Sequence, residues 1–135
     1  MKRAFAFLIL LIIAAMVPCA ALSERAEVDL DLSAMPASIT YAQALAIQRE
    51  PGEYAGQTLR ISGIFNYSEV RQRGVVIIAD NTGCCETSMD FTCAGSPAYP
   101  DDYPELYARF TVVGRLEPGE EEGLCFLTDA VIEAE

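Results

Sequence analysis

Apolar and polar residues alternate along most of the chain after residue 57, and this pattern is typical of half-buried β-strands. Strands are predicted at 58–65, 75–79, 87–93, 109–116 and 124–132. The second stretch, Val75 to Ala79, is continuously apolar, as in a strand that is covered on both faces. In the last stretch the pattern places Leu124, Phe126, Ala130 and Ile132 on the inner face.

A helical pattern precedes the strands. Thr40-Tyr41-Ala42-Gln43 fits a capping box, so the helix is predicted to begin at Thr40. Pro51-Gly52 ends it near Arg49 or Glu50.

The order of these elements predicts a fold. A helix, three strands, an irregular connection over 94–107 with three prolines, and two further strands make a mostly β domain. We expect a five-stranded OB-like Greek-key barrel preceded by a short α-helix. Gly63 falls on the inward phase of the first strand, where a missing side chain lets the strand coil sharply.

The first residues predict export rather than folded structure. Lys2 and Arg3 precede an apolar run from Ala4 to Val17, and the small residues Cys19-Ala20-Ala21 follow Pro18. This is the anatomy of a signal peptide. The predicted organisation is a signal peptide at 1–21, a linker at 22–37 and a barrel domain at 38–135.

Two alternatives remain for this segment. Lipidation at Cys19 would make it a lipoprotein signal, and an uncut run would be a membrane anchor. Cleavage near Ala21 is ranked first, lipidation second and an uncut anchor third. Pro18 argues against lipidation, because it replaces the small residue expected before a lipidated cysteine. All three predict an extracytoplasmic protein, secreted or attached to the outer face of the cytoplasmic membrane.

The chain is acidic, with 20 Asp and Glu against 9 Lys and Arg and a formal net charge of −11. A surface of this charge repels phosphate groups, so we expect no nucleic-acid partner, and membrane contact only through the N-terminal segment. The chain has no histidine, and its one lysine is Lys2. Ser-His, Cys-His and Schiff-base chemistry are therefore excluded after cleavage, and we expect no catalysis.

Four cysteines follow the predicted signal peptide: Cys84, Cys85, Cys93 and Cys125. Cys85 and Cys93 bracket one strand of roughly 26 Å, which is too long for a disulfide. In an OB barrel the third and fifth strands are neighbours and run parallel, so Cys84 and Cys85 are expected to meet Cys125 at one end.

Two interpretations of this cysteine corner stay open. The favoured one is a disulfide from Cys84 or Cys85 to Cys125, which stabilises a small exported domain by typically ~2–4 kcal/mol. The alternative is a zinc or other soft metal ion bound by the three thiolates, with Glu86 or Asp80 as an oxygen ligand. Adjacent cysteines lack the usual spacing of zinc knuckles.

Candidate ligand-binding residues lie in the loops and on the strand faces that OB-folds use for ligands. Arg71 and Arg73 are expected to hold an anionic group, and Tyr99 and Tyr103 to offer a platform for a peptide or sugar. The role favoured over this one for the tyrosines is to cover one end of the barrel.

Several segments carry a resemblance to a known group of proteins. They are Tyr41-Ala42 at the start of the predicted helix, Tyr54 to Gly63, Asp80 to Cys85, Met89 to Phe91, Tyr99 to Pro104, and Cys125. They are similar to those of a largely uncharacterised group of small exported or lipid-anchored bacterial OB-fold-like proteins with a Cys-Cys turn. The resemblance covers roughly residues 40 to 132 and implies the fold and the compartment. It implies no activity.

The sequence therefore predicts a non-catalytic extracytoplasmic binding or accessory module stapled by the cysteine corner. Its partner would be a protein or small ligand of the cell envelope. The alternative is a cell-envelope metal-binding protein that uses Cys84, Cys85 and Cys125.

Overall fold

The structure is a computed structural model that describes residues 27–120 and 124–133. Its elements are β1 (Leu30–Asp31), α1 (Ala37–Arg49), α2 (Pro51–Tyr54), β2 (Thr58–Ser68), β3 (Arg73–Ala79), β4 (Glu86–Cys93), β5 (Arg109–Pro118) and β6 (Cys125–Glu133). The predicted signal segment lies outside the described residues. Among the helices of the described ranges, none has the length and apolar character needed to cross a membrane.

Strands β2 to β6 form a closed barrel in the order β2-β3-β4-β6-β5, and β5 pairs back onto β2. All neighbours are antiparallel except β4 and β6, which run parallel. This is the strand order of the five-stranded Greek-key barrel, and α1 precedes it. The predicted fold class is confirmed, and each predicted strand is present.

Inward-facing side chains of all five strands fill the barrel. Along β2 the buried positions alternate with partly exposed ones, as the sequence pattern predicted. The largest fully buried side chains are Phe65, Phe91, Leu32, Ile47, Leu59, Ile61, Met89, Leu116, Leu127, Val76 and Val112. Gly63 is buried, and a Cβ there would come within 2.5 Å of the Ile77 carbonyl oxygen. The absence of a side chain therefore lets β2 and β3 approach closely.

The two ends of the barrel are covered differently. Helix α1 packs against β3 and β4 and buries Ala44 and Ile47 completely. At the opposite end Tyr103 stacks on Phe65, with 5.8 Å between ring centroids. The irregular segment between β4 and β5 thus supplies the second cover.

Helix α1 begins three residues before the predicted start, so the predicted capping box is wrong. Its N-cap is Pro36, which makes no side-chain cap hydrogen bond. Thr40 is buried, and its hydroxyl lies 3.2 Å from the Leu32 carbonyl oxygen and 3.3 Å from that of Pro36. The hydroxyl therefore bonds to the preceding chain instead of capping the helix.

The chain before α1 is part of the packed fold. Leu30 and Asp31 pair in parallel with Leu59 and Arg60 of β2. Leu32 is only 1% exposed and belongs to the hydrophobic core. Packing therefore begins inside the range that the sequence analysis treated as a linker.

The predicted inner face of the last strand is wrong in its first half. Cys125 and Leu127 point inward, whereas Leu124 is 48% exposed and Phe126 lies on the outer side. A bulge changes the phase, because three steps along β6 from Thr128 to Val131 oppose two along β5. Asp129, inside the bulge, has a positive φ of 50°. Ala130 beyond it points inward as predicted.

Candidate functional site

A groove of about 560 Å³ crosses the outer side of β3, β4 and β6. Residues from the β2–β3 loop, from these strands, from the end of α1 and from the β5–β6 connection line it. They are Gln48, Arg71, Arg73, Ser88, Asp90, Gly119, Glu120, Leu124, Cys125 and Phe126. Of the four predicted ligand-binding residues, the structure places Arg71 and Arg73 here.

Arg71 reaches the groove from the loop between β2 and β3. Its backbone N–H and its Nε each lie within hydrogen-bond distance of Ser68 Oγ, at 3.3 and 3.4 Å. Its Nη1 forms an ion pair of 2.9 Å with Asp90 Oδ2 of β4. The Arg71 side chain is 55% exposed and that of Asp90 only 12%, so the pair presents the guanidinium to solvent.

Arg73 lies over the ring of Phe126, with 5.1 Å between its guanidinium carbon and the ring centroid. This is cation–π geometry, which holds the planar guanidinium against an aromatic face. Phe126 is level with Asp90 in the parallel pairing of β4 and β6. The two arginines therefore stand side by side, one anchored on a carboxylate and one on a ring.

Leu124 and the inward-facing Cys125 complete the lining of the groove. Leu124 is 48% exposed beside it, and Cys125 is 7% exposed. Burial raises the pKa of the Cys125 thiol to about 11, so this sulfur stays protonated near neutral pH.

Gln48 at the end of α1 bonds to the first residues of β4. Its Nε2 donates to the Ser88 carbonyl oxygen at 2.6 Å, and its Oε1 accepts from Thr87 Oγ1 at 2.9 Å. These two bonds tie the helix to one wall of the groove.

Phe126 is a groove residue that the sequence analysis placed in the core. The alternation of Cys125, Phe126 and Leu127 is compatible with either phase. The bulge at Asp129 breaks that alternation, so Phe126 and Ala130 face opposite sides. A strict alternation through Phe126 and Ala130 places the polar Thr128 on the inner face, and this is the sequence signal for a change of phase.

Tyr99 and Tyr103 lie away from the arginine groove, at the end of the barrel. The Tyr99 ring stacks on Tyr67 at 3.8 Å with 3° between the planes, and Tyr103 contacts both. Desolvation and the neighbouring Cys93 thiol raise the pKa of Tyr103 to about 12. In this structure the tyrosines serve as a cover and not as part of the groove.

Cys84 and Cys85 lie in an exposed turn between β3 and β4 that Asp80 organises. Asp80 Oδ1 accepts hydrogen bonds from the N–H groups of Thr82 and Cys84 at 3.0 and 3.2 Å. Its own N–H donates to the Cys85 carbonyl oxygen at 2.9 Å. The hydrogen bond from the Thr82 hydroxyl is the main cause that lowers the Asp80 pKa.

The structure does not bring Cys125 to this turn. Strand pairing sets Phe126 beside Asp90, so Cys125 is level with Met89. The four residues from Cys85 to Met89 span roughly 13 Å, well beyond the ~7 Å that a disulfide allows between Cα atoms. All four cysteines of the described ranges are free thiols. The predicted three-cysteine corner is therefore not formed.

The same geometry bears on the metal-binding alternative. Within 27–120 and 124–133, no three Cys, Asp or Glu side chains are grouped closely enough to hold a metal ion. The ligand set proposed from the sequence requires Cys125 beside Cys84 and Cys85, and the pairing of β4 with β6 separates them.

Comparisons with known proteins give a limited result. No family model matches the chain, and no curated protein matches it. Among solved structures, the chain is similar to one described as a "putative nucleic acid-binding lipoprotein" from Klebsiella pneumoniae subsp. pneumoniae. The identity is 11%, the TM-score is 0.47, and the match covers 71% of this chain and 83% of that one.

This comparison corrects one prediction. The sequence analysis excluded nucleic acid as a partner, and that exclusion is contradicted by the description of the similar lipoprotein. The exclusion rested on the net charge of the whole chain, which does not describe a single face of the molecule. Local charge decides what a face binds, and here Arg71 and Arg73 line the same groove.

Proposed function

We propose that this protein is a non-catalytic binding module of the cell envelope and that its ligand occupies the groove at Arg71, Arg73 and Phe126. The observation that carries the proposal is the position of this groove. The groove lies on β3 and β4, between the β2–β3 loop and the β5–β6 connection. These are the strands and loops that OB-folds use to bind ligands.

The chemistry of the groove suits a ligand with an anionic group next to an apolar one. Arg73, held over the ring of Phe126, offers N–H donors to a carboxylate or phosphate. Leu124 and the edge of Phe126 offer apolar contact. Asp90 already pairs with Arg71, so the carboxylate keeps this guanidinium in place for a ligand. A small molecule or a short segment of an envelope protein would meet these requirements.

The basic start and apolar run at residues 2–17 support the envelope location. Fractionation of cells that express the full chain would test it, with intact mass deciding between cleavage near Ala21 and lipidation at Cys19.

Binding can be tested with short synthetic peptides that end in an aromatic residue with a free carboxylate. We expect amide chemical-shift changes in ¹H–¹⁵N spectra to centre on Arg73, Asp90 and Phe126. The variants Phe126→Ala and Arg73→Gln should each weaken binding about tenfold or more, which is roughly 1.4 kcal/mol.

Val131→Ala is the matched control for these variants. Val131 is 57% exposed and belongs to the same strand as Phe126 but does not line the groove. Its substitution should leave affinity unchanged. Shifts that centre on Tyr67 and Tyr99, or equal losses in the control, would contradict the proposal.

The geometry disfavours the metal-binding alternative, because Cys125 of β6 is level with Met89, roughly 13 Å along β4 from Cys85.

A further inference from the structure

The four cysteines fall into two groups with different environments. Cys125 is buried, and Cys93 is partly buried against Tyr103. Desolvation raises the pKa of both thiols, which makes them poor nucleophiles at neutral pH. Cys84 and Cys85 are exposed and adjacent. The chain thus presents two accessible thiols at one point of its surface.

Neither buried cysteine can pair with this exposed turn. Cys125 is level with Met89, and Cys93 lies at the far end of β4, roughly 26 Å from Cys85. Both separations exceed the reach of a disulfide. Within the described residues, Cys84 and Cys85 therefore have only each other as an intramolecular partner.

Their own pairing is opposed by the backbone of the turn. Cα atoms joined by a trans peptide are about 3.8 Å apart, whereas disulfides usually join Cα atoms about 4.4–6.8 Å apart. Closing the small ring would require the peptide between the cysteines to rotate. Hydrogen bonds from Cys84 N–H to Asp80 Oδ1 and from Asp80 N–H to the Cys85 carbonyl oxygen hold both sides of that peptide.

We propose that the Cys84–Cys85 turn is a covalent attachment site that takes a thiol group from an organic disulfide and keeps it. The thiolate of Cys84 or Cys85 attacks one sulfur of the disulfide. A new S–S bond forms to the protein, the original S–S bond breaks, and the other half leaves as a thiolate that takes up a proton. The protein thiol is oxidised, and the leaving half of the disulfide is reduced.

The adduct persists because the neighbouring thiol is badly placed to displace the bound group. In a dithiol with two intervening residues, the second cysteine attacks the mixed disulfide and releases the bound group. Here that step would form the strained ring between adjacent residues, in a turn whose flanking peptides are held by hydrogen bonds to Asp80. The turn therefore attaches a group and does not act as an oxidoreductase. In the cell, the availability of an organic disulfide rests on the proposed extracytoplasmic location. The thiol–disulfide exchange at Cys84 or Cys85 does not depend on that location.

The test uses the full chain with glutathione disulfide as the probe. After incubation near neutral pH and removal of the probe, intact mass should show at least one glutathionyl group per chain. Fragmentation of the peptide that contains residues 74–109 should place it on Cys84 or Cys85. The double variant Cys84→Ser/Cys85→Ser should lose at least nine-tenths of the adduct, whereas the control Cys93→Ala should keep it.

The lifetime of the adduct is the decisive measurement. It should be the same within about twofold in the unmodified sequence and in Cys85→Ser and Cys84→Ser, because the neighbouring thiol does not resolve it. Rapid release of glutathione from the unmodified sequence alone, or loss of two hydrogens without an adduct, would show that a vicinal disulfide forms. Either result overturns the proposal, as would no adduct or an adduct on Cys93 or Cys125.

A second arm identifies the natural source. Cells expressing the full chain are quenched with an alkylating agent, and the protein is analysed by intact mass and by non-reducing gel. A small mass increase indicates a low-molecular-weight disulfide, and a reducible larger band indicates a protein. Free thiols in the cell with a stable adduct in vitro would contradict the proposed location and leave the attachment chemistry standing.

Discussion

Cys125 and Phe126 are adjacent in sequence, but one side chain faces the barrel interior and the other faces the outer groove. The thiol of Cys125 points into the barrel wall and is 7% exposed, whereas the Phe126 ring supports Arg73 on the outside. This alternation makes one strand contribute both to the core and to the groove. Arg71 also has two roles. Its ion pair with Asp90 links the β2–β3 loop to β4, and its side chain lines the groove.

The buried thiol of Cys125 predicts a loss of stability in alkaline solution. Its folded-state pKa of about 11 is above the ordinary value of 9.0, so the folded state retains a proton that the unfolded state has lost. The free energy of unfolding should therefore fall as the pH rises from about 9 towards 11. Urea unfolding of Cys125→Ala should show a shallower fall over this range.

Tyr103 also contributes to the pH dependence of stability in alkaline solution, because its pKa is raised to about 12. The comparison is therefore the difference between the two proteins and not the slope of either. Parallel curves for Cys125→Ala and the unmodified sequence would show that the thiol titrates normally.

At the scale of elements, the close contact of β2 with β3 depends on Gly63. A Cβ at this position would lie 2.5 Å from the Ile77 carbonyl oxygen and 2.6 Å from Val76 Cγ2. The carbonyl belongs to the backbone and cannot turn away as a flexible side chain can. The sequence analysis found this position from its inward phase, and the structure supplies the reason for it.

Gly63→Ala should therefore lower the free energy of unfolding by about 1–3 kcal/mol or more, because the strands must move apart. Chemical denaturation checks the value. Gly52→Ala is the matched control, since Gly52 is exposed in α2 and has nothing within 4 Å of an added Cβ. That variant should be neutral or slightly more stable. Equal effects at the two glycines would show that the contact with Ile77 relaxes freely.

The bulge in β6 is the element that changes the site most. One extra residue around Asp129 reverses the phase of the strand, so Leu124 and Phe126 lie outside while Ala130 lies inside. A strict alternation would have buried Phe126 and left Arg73 without its aromatic support. The groove therefore depends on an irregularity that a pattern of period two cannot represent.

At the scale of the whole molecule, the folded unit includes the chain ahead of α1. Leu32 is buried in the core, and the carbonyl oxygen of Leu32 lies within hydrogen-bond distance of the Thr40 hydroxyl. Arg60 also holds this segment, because it pairs with Asp31 at 3.2 Å and with Glu133 of β6 at 2.6 Å. The first and last described strands are thus joined through one guanidinium.

Leu32→Ala should lower the free energy of unfolding by about 2–5 kcal/mol, as expected for a large core side chain. Met35→Ala is the matched control, because Met35 is 42% exposed three residues further on and should change stability by no more than about 0.5 kcal/mol. Both values follow from urea denaturation of the full chain. A small effect at Leu32 would mean that the barrel is stable without its N-terminal segment.

The sequence by itself determined the five barrel strands, the helix before them and their order. Alternation of apolar residues predicted four of the strands, a continuous apolar run predicted β3, and Pro51 predicted that α1 ends near Arg49 or Glu50. These features are local, because a strand of period two or a helix-breaking proline is visible within about ten residues. The strand order followed from the predicted fold class, which the pairing confirms.

Only the tertiary structure decided where the sites lie. It set Cys125 level with Met89 and not with Cys85, because register depends on contacts between strands far apart in sequence. It brought Arg73 over Phe126, and it gave Thr40 a carbonyl partner in the preceding chain instead of a helix amide. The groove and the isolated cysteine pair both follow from that register. No pattern within a single segment of the sequence specifies the register.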